Sequence, residues 1–191
     1  MDLLMLAKKI YWIDNDRDGK NDKYDYGLGG TGETDFEKEA PEGTPGKGKL
    51  DIDCSHLVNN VLKEAGYNIP YETTSSMKNS KYYDTVSPND VQPGDIVLFE
   101  GHVGFVATYD VNTKTGKFFG SQTSTGPAET EFSTEIGSPY YWGGRKKFLK
   151  FLRPKPFLGY PEKVRNNLRE GTRRIDPLVI DLDGDGIELT D

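Results

Sequence analysis

The chain contains a single cysteine, Cys54, and it falls where a Gly-rich irregular stretch gives way to a one-faced apolar spacing. Beyond Asp53-Cys54-Ser55-His56, apolar residues recur at Leu57, Val58, Val61, Leu62 and Ala65. That is the spacing of an amphipathic helix, and Gly66 supplies its stop. Cys54 therefore belongs to a first helical turn, where unpaired N–H groups and the positive end of the helix dipole favour a thiolate. A thiolate is a far better nucleophile than a thiol. Most free cysteines are instead small buried hydrophobes, and on Cys54 alone the two readings stand side by side.

The segment Gln92-Pro93-Gly94-Asp95-Ile96-Val97-Leu98-Phe99, followed by Gly101-His102-Val103-Gly104-Phe105-Val106, reads as turn, strand, turn and strand. Strands are expected over Asp95 to Phe99, His102 to Tyr109 and Lys117 to Thr123, with Val111 to Gly116 as the turn between the last two. Alternation puts His102, Gly104 and Val106 on one face and Val103, Phe105 and Ala107 on the other. A strand opening with histidine beside a helix opening with cysteine brings a base to a nucleophile. The only other histidine, His56, lies two residues beyond Cys54. On a helix that turns it away from the thiol, so His102 is the expected base. A helix on antiparallel strands makes the fold class α+β.

The motifs Asp-Cys-Ser-x-Leu-Val, Pro-Gly-Asp-Ile-Val-Leu-Phe and Gly-His-Val-Gly, in this order, resemble the NlpC family of cell-wall cysteine peptidases, to which the CHAP amidases are related. The resemblance runs from about Tyr24 to about Pro154. It implies a papain-like fold, with the nucleophile helix packed on an antiparallel sheet. It also implies hydrolysis of a peptidoglycan amide: the D-glutamyl–diaminopimelate bond of the stem peptide, or, as the alternative, the muramoyl–L-alanine amide cut by amidases of the CHAP type. No catalytic cofactor is implied. Tyr24-Asp25-Tyr26-Gly27-Leu28-Gly29-Gly30 resembles the family's Tyr-x-x-Gly-Gly stretch. Tyr24 is then the active-site tyrosine, with Tyr26 as the fallback, and its hydroxyl joins the Cys54 N–H in holding the oxyanion. For the third catalytic residue Gly120 and Gln122 compete on the next strand. Gln122 is the choice, its amide oxygen accepting from His102 Nδ1–H. His56 departs from the family, which usually carries a small residue there.

Asp14, Asp16, Asp18, Asp22 and Asp25 fall at positions 1, 3, 5, 9 and 12 of a loop with Gly19 at position 6. This is the EF-hand pattern with Asp as its final acid, and the Lys20 carbonyl completes the oxygen set for a structural Ca²⁺. A solvated acidic turn is the plainer reading. A weaker set, Asp181, Asp183 and Asp185, lies in a tail that resembles segments of large secreted calcium-binding bacterial proteins and toxins. The organisation is then a peptidase domain over 1–154, with the loop at 14–25 and a mobile Gly/Pro/Glu/Lys-rich insertion at 31–49, followed by a linker and acidic tail over 155–191.

A chain of 191 residues suits one globular domain. The net charge of −7 argues against nucleic acid and anionic membrane surfaces as partners. Lys8-Lys9 follow the short apolar start instead of preceding it, the wrong order for a signal peptide, and the run is too short to span a membrane. The expectation is a monomeric antibacterial effector or toxin module. It would be secreted, or delivered to the periplasm and cell wall, by a route without a signal peptide, with a secretion apparatus and an immunity protein as partners. Two alternatives remain: the same core acting on a protein or lipid acyl group, and a non-enzymatic calcium-stabilised adhesion module.

Overall fold

Asp2 begins the first helix by accepting the N–H groups of Leu4 and Met5 on one carboxylate oxygen, a standard N-cap. The helix, α1 (Leu3–Tyr11), buries Leu3, Leu4, Ala7 and Tyr11 along one stripe. The computed structural model describes residues 2–35, 38–135 and 146–156. Asp181, Asp183 and Asp185 and the stretch Tyr140-Tyr141-Trp142 lie outside the described residues.

Three short strands follow: β1 (Tyr24–Asp25), β2 (Thr31–Thr34) and β3 (Leu50–Ile52). They form a small sheet in which β3 is central, parallel to β1 and antiparallel to β2. The stretch expected to be loop from Thr31 onward thus begins as a strand, with Thr31 opposite Ile52. Its Thr-Gly-Glu-Thr sequence has no apolar alternation to announce this.

The nucleophile segment is α2 (Cys54–Glu64), which buries Cys54, Ser55, Leu57, Val58, Val61 and Leu62. A one-turn helix α3 (Thr74–Met77) leads to β4 (Tyr83–Val86), then β5 (Ile96–Phe99), β6 (His102–Asp110), β7 (Thr115–Gln122), β8 (Gly126–Ser133) and β9 (Phe148–Pro154). These six strands make one antiparallel sheet in the order β4-β9-β5-β6-β7-β8. The two edge strands were invisible in the sequence. In β4 only Tyr83 and Val86 are buried, so no alternation shows. In β8 the exposed edge carries Glu129 and Glu131 among few apolar residues, a usual way of blunting an edge against further pairing.

The large sheet has a core on each face. Ile96, Leu98, Val103, Phe105, Ala107 and Phe119 pack with α1 and α2. Val97, Phe99, Val106, Phe118, Phe132 and Phe151 form a second, aromatic cluster, with Phe99 and Phe118 ring centroids 5.3 Å apart. Period-two alternation thus divides β6 as its sequence requires. Two motif glycines are explained by geometry. Gly94 holds φ at +90° in the turn before β5, a conformation costly for other residues. At Gly104 a Cβ would lie 2.6 Å from both the Phe118 ring and the Phe119 carbonyl oxygen.

Asp95, between that turn and β5, is 4 % exposed. Arg153 of β9 donates to its two carboxylate oxygens at 2.7 and 2.8 Å, and the Gln92 N–H donates to the second at 2.8 Å. The Pro-Gly-Asp motif is therefore a clamp that fixes the strand pair carrying His102.

Candidate active site

Asp53 caps α2 through a hydrogen bond from the His56 N–H at 2.8 Å, which sets the helix to begin at Cys54. Cys54 is 7 % exposed. The backbone N–H groups of Val103, Ser55 and Cys54 itself act on its sulfur in the direction that favours the anion. The Val103 contact joins the start of the helix to β6 at the residue next to His102. These donors favour a thiolate, but burial and the neighbouring Asp53 carboxylate outweigh them and push the thiol up to about 11. The resting thiolate expected from the helix position is corrected accordingly: Cys54 rests as a neutral thiol, because burial costs the anion more than the helix terminus returns.

His102 opens β6 and is 3 % exposed. Phe99 and Phe118 flank its ring at centroid distances of 6.3 and 5.6 Å. Burial pulls the imidazole down to about 4; the Gln122 hydrogen bond opposes this and the Lys146 charge adds to it. Gln122, the last residue of β7, is also buried. Its Oε1 lies 2.9 Å from His102 Nε2. An amide oxygen only accepts, so Nε2 carries the proton and Nδ1 is the basic nitrogen. The expected contact with Nδ1–H is replaced by one with Nε2–H: the strand register brings Gln122 to the far side of the ring.

The two tyrosines of the β1 region part company. Tyr24 is buried, with its ring edge-on to Tyr11 at 5.1 Å. Tyr26, half-buried just beyond β1, is the one whose phenol is pushed up by burial and then by the charges of Cys54 and Asp53. The fallback tyrosine is thus near enough to feel the thiol's charge, while the first choice is buried in the core cluster that also holds Cys54.

A polar cluster that the sequence reading did not assemble surrounds Asp53. Its carboxylate accepts from the Ser55 hydroxyl at 2.8 Å and the Gly29 N–H at 3.1 Å, and His56 Nδ1 lies 2.9 Å from its second oxygen. These bonds hold Asp53 below the usual carboxylate range despite its burial. Tyr71 stacks on His56 at a centroid distance of 4.6 Å, and its hydroxyl is 2.9 Å from Ser55 Oγ. The available signal was Asp-x-x-His at a helix start, where the third residue faces back to the cap.

In the acidic loop, Asp14, Asp16 and Asp18 each offer an oxygen within 4.8 Å of the others. Asp14 Oδ2 accepts the Gly19 N–H at 3.1 Å, whereas Asp14 Oδ1 is buried with no hydrogen-bond partner among the described residues. An orphaned carboxylate oxygen inside such a turn fits a bound cation. The loop gathers three of the five expected acids. Asp22 accepts the Asn15 N–H, and Asp25, drawn into β1, accepts the Tyr26 N–H at 2.8 Å. The Lys20 ammonium pairs with Asp18 at 3.1 Å.

Among the described residues no helix is long and apolar enough to cross a membrane. No curated protein and no solved structure matched the chain. A family model did match, over residues 23–146, a span that runs from the β1 tyrosines through Cys54, His102 and Gln122. A cysteine at a helix start, next to the strand that a buried, amide-anchored histidine opens, is compatible with the chemistry of a cysteine peptidase. With that match it places the chain in the NlpC/P60 family of cysteine peptidases and amidases.

Proposed function

We propose that this protein hydrolyses an amide bond of peptidoglycan, with the D-glutamyl–diaminopimelate bond of the stem peptide as its target. The observation that supports the reading is the influence of the Val103 N–H on the Cys54 sulfur, which ties the start of α2 to the strand that His102 opens. In this reading the sulfur attacks the amide carbon as His102 Nδ1 takes its proton, so a neutral pair ionises only in the transition state. The Cys54 N–H and the Tyr26 hydroxyl hold the oxyanion; Tyr26 thereby takes the role that the family resemblance implied for Tyr24. One such donor contributes roughly 3 kcal/mol to the transition state. The C–N bond then breaks, His102 protonates the departing amine, and a thioester remains on Cys54. Water, deprotonated by His102, attacks the thioester, freeing the carboxylate product and restoring the thiol. Gln122 keeps the imidazole in the Nε2–H tautomer throughout and stabilises imidazolium less than a carboxylate would.

In the same reading Asp14, Asp16 and Asp18, with the Lys20 carbonyl, hold a structural Ca²⁺, supported by the orphaned Asp14 oxygen. An effector or toxin role, with an immunity protein as partner, is supported by the resemblance of the segment 175–188. The test is digestion of purified sacculi followed by mass analysis of the fragments. New ends at D-glutamate and diaminopimelate are the expected result. Release of whole stem peptides would move the assignment to a muramoyl–L-alanine amidase, and intact muropeptides would defeat the cell-wall reading.

A further inference from the structure

The span that matches the family begins at residue 23, so α1 and the acidic loop stand before it. Lys8 and Trp12 from the first, and Gly19 and Lys20 from the second, meet β7 and β8 around a groove of about 720 Å³, within the roughly 300–1,000 Å³ usual for small-molecule sites. Its apolar lining includes Trp12, Phe119 and Ala128. The insertion forms another wall, and it approaches β1 so closely that a Cβ at Gly46 would lie 2.6 Å from Asp25 Oδ2. Cys54, His102 and Gln122 do not line the groove. Its rim at Ser124 and Thr125 nevertheless lies in the turn that follows Gln122, where the Thr125 N–H donates to the Gln122 carbonyl at 3.2 Å.

The lysines of this groove are already matched. Lys8 pairs with Glu129 at 2.7 Å, Lys20 pairs with Asp18 at 3.1 Å, and Lys49 donates to the Asn21 carbonyl at 2.6 Å. Charge therefore does not select an anion. What the groove offers is a half-buried indole among hydroxyls and carboxylates. A pyranose ring presents the complement: an apolar C–H face that stacks on an aromatic ring, and hydroxyls around its edge that both donate and accept.

We propose that this groove binds a short stretch of uncharged oligosaccharide, with Trp12 as its stacking platform and Asp25, Ser124 and Thr125 as its polar rim. An acidic peptide fits less well, since its carboxylates would have to displace Glu129 and Asp18 from their lysines. The assignment stands on the groove alone and needs no hydrolysis. Joined to the proposed peptidoglycan activity, on which only this last step rests, the groove would hold the glycan strand while the attached stem peptide is cut.

The experiment is titration of the full chain with tri-N-acetylchitotriose. The tryptophans are Trp12 and Trp142, so Trp142→Phe leaves Trp12 as the reporter. The expected result is a saturable change in Trp12 emission at millimolar saccharide or below, with the same midpoint by calorimetry in wild type. Trp12→Phe keeps a flat ring and should bind within about threefold of wild type; Trp12→Ala should bind about tenfold more weakly, the scale of one lost aromatic contact. Ala128→Tyr fills the groove from the edge strand and should abolish binding, which keeps the test decisive if Trp12→Ala fails to fold by circular dichroism. Absence of saturable binding overturns the proposal, as does calorimetric binding that leaves Trp12 emission unchanged or that a folded Ala128→Tyr retains in full. Saturation by an oligoglutamate peptide, with none by the saccharide, overturns it in favour of an acidic peptide. The probe carries no stem peptide, so binding can stand while sacculus digestion fails, and the reverse.

Discussion

His102 Nε2 donates to Gln122 Oε1 at 2.9 Å, and this single bond decides which imidazole nitrogen can act as a base. Replacing Gln122 by Ala removes the tautomer's anchor and leaves a buried N–H without its acceptor, a cost of roughly 1–3 kcal/mol. We expect kcat/KM for muropeptide hydrolysis to fall about tenfold to hundredfold. Gln122→Glu should instead raise the His102 pKa by placing an anion against the ring, visible as an upfield-to-downfield NMR titration at higher pH than in wild type.

Stability should fall towards acid because His102 is buried neutral. Its pKa is lowered from 6.5 to about 4 on folding, so between those values the unfolded chain binds a proton that the folded chain refuses. The contribution is fully present above pH 6.5 and lost as the pH falls to about 4, and it amounts to about 3 kcal/mol. The thiol acts in the opposite range. Its pKa rises from 9.0 to about 11 on folding, so its contribution is present below pH 9 and is lost as the pH rises to about 11. Urea denaturation of wild type against His102→Gln and Cys54→Ala, across pH 4 to pH 11, isolates each contribution.

Gly104→Ala should destabilise by about 1–3 kcal/mol, since its Cβ would meet the Phe118 ring and the Phe119 carbonyl at 2.6 Å. A lowered denaturation midpoint with an unchanged m-value would register this. A Tm equal to wild type would mean that the β6–β7 pairing yields without cost.

Asp95→Asn should cost about 2 kcal/mol. It leaves Arg153 without its paired carboxylate at a site where Asp95 is buried, although Arg153 itself is partly in water. Because the clamp precedes the strand pair that carries His102, amide exchange in β5 should quicken as Tm falls.

Calcium should raise the Tm and chelator should lower it. Asp14→Asn, which alters the carboxylate that carries the orphaned oxygen, should abolish the difference between the two conditions. A melt indifferent to chelator in wild type removes Ca²⁺ from the account.

The strongly periodic parts of this fold were legible in the sequence. The run Leu57, Val58, Val61, Leu62 announced α2 and the two apolar strands announced β5 and β6, because each buries a continuous face. The edge strands β4 and β8 were not legible, since an edge half in water needs little apolar alternation. Within the site, sequence order placed Cys54 at the helix start, His102 at the strand start and Gln122 on the next strand. It could not supply the ring nitrogen that Gln122 meets, nor the protonation of Cys54, because both depend on tertiary burial and register. Alternation could not separate Tyr24 from Tyr26, since positions two apart share a face; β1 ends at Asp25, and Tyr26 leaves the strand half-buried while Tyr24 stays in the core. The acidic loop kept Asp14, Asp16 and Asp18 together but gave Asp22 and Asp25 to the backbone, a competition that spacing alone does not resolve.

The central claim is that the Cys54 sulfur performs the attack, and hydrolysis of a purified muropeptide by Cys54→Ala beside wild type tests it most directly, with matched circular dichroism as the folding control. The predicted result is a loss of at least about 10⁴-fold in kcat, the scale on which removing a covalent nucleophile acts. A Cys54→Ala protein that stays within about tenfold of wild type would contradict it.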